Sequence, residues 1–134
     1  MLRAGRLLDG AADGGRGAYS TAVQASADPV QAQLEAYNAH DIDAFMACYA
    51  EDAVVRHADG RVLMNGHAEL RARYERLFAA NPEVTAEVPT RIRAGDWTVD
   101  EERVRLADRE LHLAVGYKVE GGLIKLVVMM RSDL

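Results

Sequence analysis

The sequence predicts one α+β domain, a cone-shaped, curved antiparallel β-sheet with three N-terminal helices that enclose a pocket. Three observations carry this. From Asp28 to Phe78 the apolar residues recur mainly at helical spacing, after Pro82 their period drops to two, and Asn81–Pro82 marks the change. Helices gathered in one half of a chain and strands in the other pack as segregated layers. A bent sheet of long strands under only three helices leaves a hollow at its open end.

The elements follow in order. Asp28 is a good N-cap, Pro29 suits the first helical position, and Gln31 completes a box-like Asp-x-x-Gln. Val30, Leu34 and Tyr37 form that helix's stripe. Asp41 caps a second helix striped by Ile42, Phe45, Met46 and Tyr49. A short strand is predicted over Ala53–His57, with a turn at Asp59 and Gly60. A third helix starts near Asn65 and Gly66, with Glu69 placed to reach back to the cap; its stripe is Leu70, Tyr74, Leu77 and Phe78. Then come strands over Val84–Ala94, Trp97–Leu106, Leu111–Val119 and Leu123–Arg131, with a hairpin turn at Glu120–Gly121–Gly122.

Composition narrows the function classes. A chain of 134 residues is one domain long. Its net charge of −5 repels phosphate backbones, so no nucleic-acid partner is expected. Arg71, Arg73 and Arg76 alternate with Glu69 and Glu75, as on a solvated helix face. Cys48 is the single cysteine, which rules out an intrachain disulfide and reads as a buried, inert thiol. No run approaches the roughly 18 apolar residues of a membrane span, and the expected location is the cytoplasm. Residues 1–27, rich in Ala, Gly and Ser, read as a flexible extension; the domain is 28–134. No His pair stands at metal spacing on a helix, so neither metal nor cofactor is expected.

The stretch YNAHDIDAFMACYAEDAVV, from Tyr37 to Val55, resembles the helix–helix–strand opening of SnoaL-like domains. These belong to the nuclear transport factor 2-like superfamily with polyketide cyclases and ketosteroid isomerases. Similarity continues through Asn65–Phe78, Gly95–Val104 and Tyr117–Arg131. The resemblance implies the fold and a homodimer. It leaves function open, because the superfamily holds isomerases, cyclases, dehydratases, hydrolases and non-catalytic binding domains.

In ketosteroid isomerases a carboxylate base lies eight residues after the Tyr of a Tyr-Ala-Asp/Glu-Asp-Ala motif; counting from Tyr49 reaches His57. A histidine there is able to take a proton from beside a carbonyl. The family's oxyanion tyrosine falls at Gln33, with Tyr37 one turn later, and its late Asp falls near Val115. The resemblance thus departs from the isomerase pattern at all three positions.

Asp100, Glu101 and Glu102 are consecutive carboxylates in a strand. Alternation sends Glu101 to one face and its two neighbours to the other. Trp97 and Val99 point to an inward Glu101, Val104 and Leu106 to an inward Glu102, and both phases remain open. The expected catalytic set is therefore His57 as base with Glu101 or Glu102. Tyr37, Tyr49, Tyr74, Phe78, Trp97 and Met129 are the expected ligand-binding wall. His112 is expected on the outer face, with Arg91 and Arg93 as polar cover there, His40 as a cation at a helix end, and His67 exposed. Two functions compete: an isomerase or lyase acting on an apolar carbonyl compound, and a non-catalytic ligand-binding or dimeric scaffold domain. Polar groups converging inside the pocket would favour the first.

Overall fold

The computed structural model describes residues 28–131, so the extension expected over residues 1–27 lies outside the described residues. Among the described residues there are three helices: α1 (Pro29–Asn38), α2 (Ile42–Met46) and α3 (His67–Ala80). The strands are β1 (Tyr49–His57), β2 (Val62–Asn65), β3 (Thr85–Ala94), β4 (Trp97–Arg105), β5 (Glu110–Glu120) and β6 (Leu123–Met130). They form a six-stranded sheet in the order β2-β1-β6-β5-β4-β3. Every pairing is antiparallel except β1 with β6, which is parallel.

The helix starts form as the sequence predicts, with one difference. Asp28 Oδ1 accepts from the Gln31 backbone N–H at 3.4 Å, and Asp41 Oδ1 from that of Ala44 at 3.1 Å. Glu69 reaches back to the Asn65 N–H at 2.7 Å. The Gln31 side chain does not close a box. It donates to Glu35 and accepts from Arg91, because a buried ion pair lies within its reach.

Two strand boundaries differ from expectation. β1 begins at Tyr49, four residues before Ala53, because α2 is only five residues long and hands Tyr49 to the sheet. The short β2 was not foreseen. Its pattern is too brief to show a period, and pairing with Val54–Arg56 creates it.

Val30, Phe45, Leu70, Val84, Val115 and Ile124 fill the space between helices and sheet. Each such side chain contributes about 1.5–3 kcal/mol by leaving water. Around Phe45 the rings of Tyr37, Tyr74 and Phe78 gather, with the Phe45–Tyr74 centroids 4.6 Å apart. This cluster roofs the helical side of the sheet.

A register shift between Glu87 and Thr90 in β3 decides what the sheet shows to each side. Pro89 has no N–H to give to a ladder, so a bulge falls there naturally. Past it the phase inverts. Arg91 and Arg93 turn toward the helices, and Ile92 is left 59% exposed on the outer face. Arg91 is therefore not an outer polar cover, as the unbroken alternation implied.

Candidate functional site

A cavity of about 390 Å³ opens between α1, α3 and the concave side of the sheet. Its wall is largely Leu, Phe, Tyr and Val. One end carries the polar groups Gln33, Tyr49, Glu102 and Tyr117.

The central question about β4 is resolved by its unbroken register with β5. Thr98, Asp100 and Glu102 point inward and are buried, whereas Trp97, Val99, Glu101 and Arg103 point outward. Trp97 therefore lies off the cavity; its ring covers Gly116 on the outer face, where an added Cβ would meet it at 3.3 Å. Glu101 also lies outside, accepting from His112 at 2.8 Å and facing Arg103 at 3.6 Å. Those partners, His112 first, hold its carboxyl below the usual range.

The two inward carboxylates have opposite environments. Asp100 is fully buried and receives two charged hydrogen bonds from Arg91, at 2.7 and 2.9 Å. Arg91 is braced in turn by Gln31 at 2.8 Å. Bidentate pairing keeps both charges compensated, and Asp100 raises the Arg91 guanidinium. Among the described residues Glu102 receives only a neutral donor, the Tyr117 hydroxyl, at 2.6 Å. Burial pushes Glu102 up to about 7, Asp100 adds to the rise, and the Tyr117 hydrogen bond partly opposes it.

Behind Glu102 runs a directed relay. The Tyr49 hydroxyl donates to Gln33 Oε1 at 3.3 Å, and Gln33 Nε2 donates to the Tyr117 hydroxyl at 3.4 Å and to Val30 O at 3.1 Å. Tyr117 then donates to Glu102 Oε2. The amide of Gln33 sets the direction, since its oxygen only accepts and its nitrogen only donates. Oε2 of Glu102 is thus occupied. Oε1 has no hydrogen-bond partner among the described residues, and the same holds for the hydroxyls of Tyr37 and Tyr74 on the cavity wall. Burial, with a contribution from Glu102, raises Tyr37 above its ordinary range and Tyr74 to about 12.

His57 occupies a different setting from the expected one. Its register places it beside Met129 on the concave side, yet it does not line the cavity. Nε2 donates to the Arg131 carbonyl, and Nδ1 faces the Asp59 N–H at 3.0 Å and its carboxylate at 3.1 Å. Both nitrogens are tied to the turn after β1 and the end of β6. No lone pair faces the hollow.

Of the expected wall, Tyr37, Tyr49, Tyr74 and Met129 line the cavity. Phe78 does not; it stacks on His40, with ring planes 3° from parallel. The remaining histidines hold backbone carbonyls. His40 Nε2 donates to Val84 O at 2.6 Å, and His67, half-buried and not exposed as expected, is shared between Met46 O and Tyr49 O. Burial pushes the Cys48 thiol up to about 11, the environment of an unreactive sulfur. Among the described residues no group of three or more His, Cys, Asp or Glu side chains is arranged to hold a metal, and no helix is long and apolar enough to cross a membrane.

Gln33, Tyr117 and the inward phase of Glu102 complete the site. Gln33 was visible only as a departure from the isomerase tyrosine. Tyr117 had one available signal, its alternation with Leu113 and Val115.

Comparison with known proteins agrees with the architecture. A cystatin-fold protein from Novosphingobium aromaticivorans is 24% identical, with a TM-score of 0.72 over 79% of this chain and 97% of that one. A computationally designed 17-OHP binder is 18% identical, with a TM-score of 0.68 over 78% and 88%. An LEH-like epoxide hydrolase from Mycobacterium tuberculosis is 16% identical, with a TM-score of 0.63 over 80% and 82%. At these identities the likeness is one of fold. No curated protein matches the chain. The model of the SnoaL-like domain matches residues 30–127, most of the chain, and the protein belongs to that family.

Proposed function

We propose that the protein is a small-molecule enzyme of isomerase or lyase type, with Glu102 as its general acid and base. One observation carries the reading: a buried carboxyl at the polar end of an apolar cavity, with Oε2 held by Tyr117 and Oε1 unpartnered. A carboxyl whose pKa is raised to about 7 is divided between acid and base at neutral pH, the condition under which one group serves both proton transfers. Tyr37 and Tyr74 supply hydroxyls for a carbonyl oxygen, and their raised pKa values keep them protonated donors. Glu102 would remove a proton next to that carbonyl and return it at a second position. The relay through Gln33 and Tyr49 holds Tyr117 in place while this happens.

The substrate is then an apolar compound with a carbonyl group. Deuterium exchange next to the carbonyl of cyclic ketones, followed by NMR in heavy water, tests this. Wild-type protein should catalyse exchange, and Glu102→Gln should lose about 10²–10⁴-fold. Ketones that bind without exchange, alike in both proteins, would leave a binding domain instead.

The outer face of the sheet supports a second part of the proposal, a homodimer. Trp97, Val99, Leu126, Val128 and Met130 share this face with the exposed Ile92. An apolar sheet face of this kind suits a second copy packed on it by two-fold symmetry.

A further inference from the structure

We infer that the cavity selects an amphiphilic ligand carrying an anionic group, a carboxylate, sulfonate or phosphate, seated at a rim of three arginines. This rests on the cavity being a ligand site, as proposed above, and adds the class of ligand. The charge distribution within the cavity motivates it. Arg73 of α3, Arg109 of the β4–β5 turn and Arg131 after β6 all line the hollow, contributed by three separate parts of the fold. Arg73 and Arg109 are exposed, which places them at the opening, whereas Glu102 is buried. Glu102 is the one carboxylate among the described lining residues.

That gathering runs against the whole molecule, whose net charge is −5. Among the described residues Arg73 forms no ion pair, and Arg109 only faces its neighbour Asp108 at 3.8 Å, with both side chains in water. Neither guanidinium is held in place by the fold. Positive charge around a low-dielectric opening concentrates anions there, and the guanidinium fork pairs with two oxygens of such groups at once. Between rim and deep end lie Leu77, Leu106, Leu111 and Leu113, which suit an apolar body. A ligand with its anion at the rim would direct its far end to Glu102, Tyr37 and Tyr74. The arginines would thereby set orientation as well as affinity.

A matched pair of fluorescent probes tests this on the full chain: anilinonaphthalene sulfonate, and N-phenylnaphthylamine, which has the same skeleton without the sulfonate. The sulfonate should bind more tightly and should shift the methyl NMR signals of Met129 and Leu113. Arg73→Gln combined with Arg109→Gln should weaken it about tenfold while leaving the amine unchanged. Added salt should weaken the sulfonate alone. Equal binding of both probes, or a double variant that affects neither, would overturn anion selection while leaving the cavity a ligand site. A sulfonate that shifts only outer-face methyls, such as that of Ile92, would also overturn it. Failure of both probes to reach Met129 and Leu113 would instead count against the ligand cavity itself.

Discussion

The Tyr117 hydroxyl lies 2.6 Å from Glu102 Oε2 and donates to it inside the protein, while the other carboxyl oxygen has no described partner. Two positions earlier on the same face, Asp100 receives the full fork of Arg91. One strand thus carries two inward carboxylates, one with a matched cation and one without. Glu102, the second, is pushed up by burial to about 7 and so changes its protonation state near neutral pH.

Glu102 makes stability depend on pH in a definable direction. Its folded pKa is raised from 4.5 to about 7, so its contribution is fully present below 4.5 and is lost as pH rises toward 7. Between those limits the folded state holds a proton that the unfolded state releases. Glu102→Gln removes the effect. Relative to wild type, the variant should gain on the order of 3 kcal/mol on going from pH about 4.5 to about 8. Urea denaturation at the two pH values measures it.

Tyr117→Phe removes the one hydrogen bond from the described residues that stabilises ionised Glu102. The carboxyl should titrate above about 7 in this variant, and stability should fall by about 1 kcal/mol. A carbon-detected NMR titration with denaturation reports both. A lower pKa in the variant would contradict the assigned role.

Arg91→Met strands the buried Asp100 charge and should cost about 3–5 kcal/mol. Adding Asp100→Leu should recover most of that loss, since the pair is then replaced by apolar groups. A double-mutant cycle in denaturant checks the non-additivity.

Both ring nitrogens of His57 serve the turn after β1 and the end of β6. His57→Ala should therefore cost about 1–2 kcal/mol of stability and leave exchange activity within a few-fold of wild type. Activity falling as far as in Glu102→Gln would return His57 to the reaction.

The proposed homodimer predicts that the wild-type protein sediments as a dimer and Ile92→Asp as a monomer with the fold retained, because Ile92 is 59% exposed on the face assigned to the partner. The emission of Trp97, the single tryptophan and a neighbour on that face, should shift to longer wavelength as the partner is lost.

The fold was legible because its signals are local. Asp28 and Asp41 cap helices through their own neighbours, Glu69 reaches back to the Asn65 N–H just before α3, and Gly121–Gly122 makes a hairpin turn without help from distant residues. The phase of β4 was not legible. Trp97 and Val99 suggest one inner face and Val104 another, because this sheet is apolar on both sides and alternation cannot then tell inside from outside. The bulge at Pro89 hid Arg91 in the same way, and with it the pairing that separates Asp100 from Glu102. His57 was located correctly on its strand, but its ring orientation depends on the Arg131 carbonyl, which is distant in sequence.

The titration of the Glu102 carboxyl by carbon-detected NMR tests the central claim most directly. A midpoint near 7 in the wild-type protein is the expected result. A midpoint at the ordinary carboxylate value of about 4.5 would mean that water or an unrecognised cation reaches Glu102, and the proton-transfer role would fall with it.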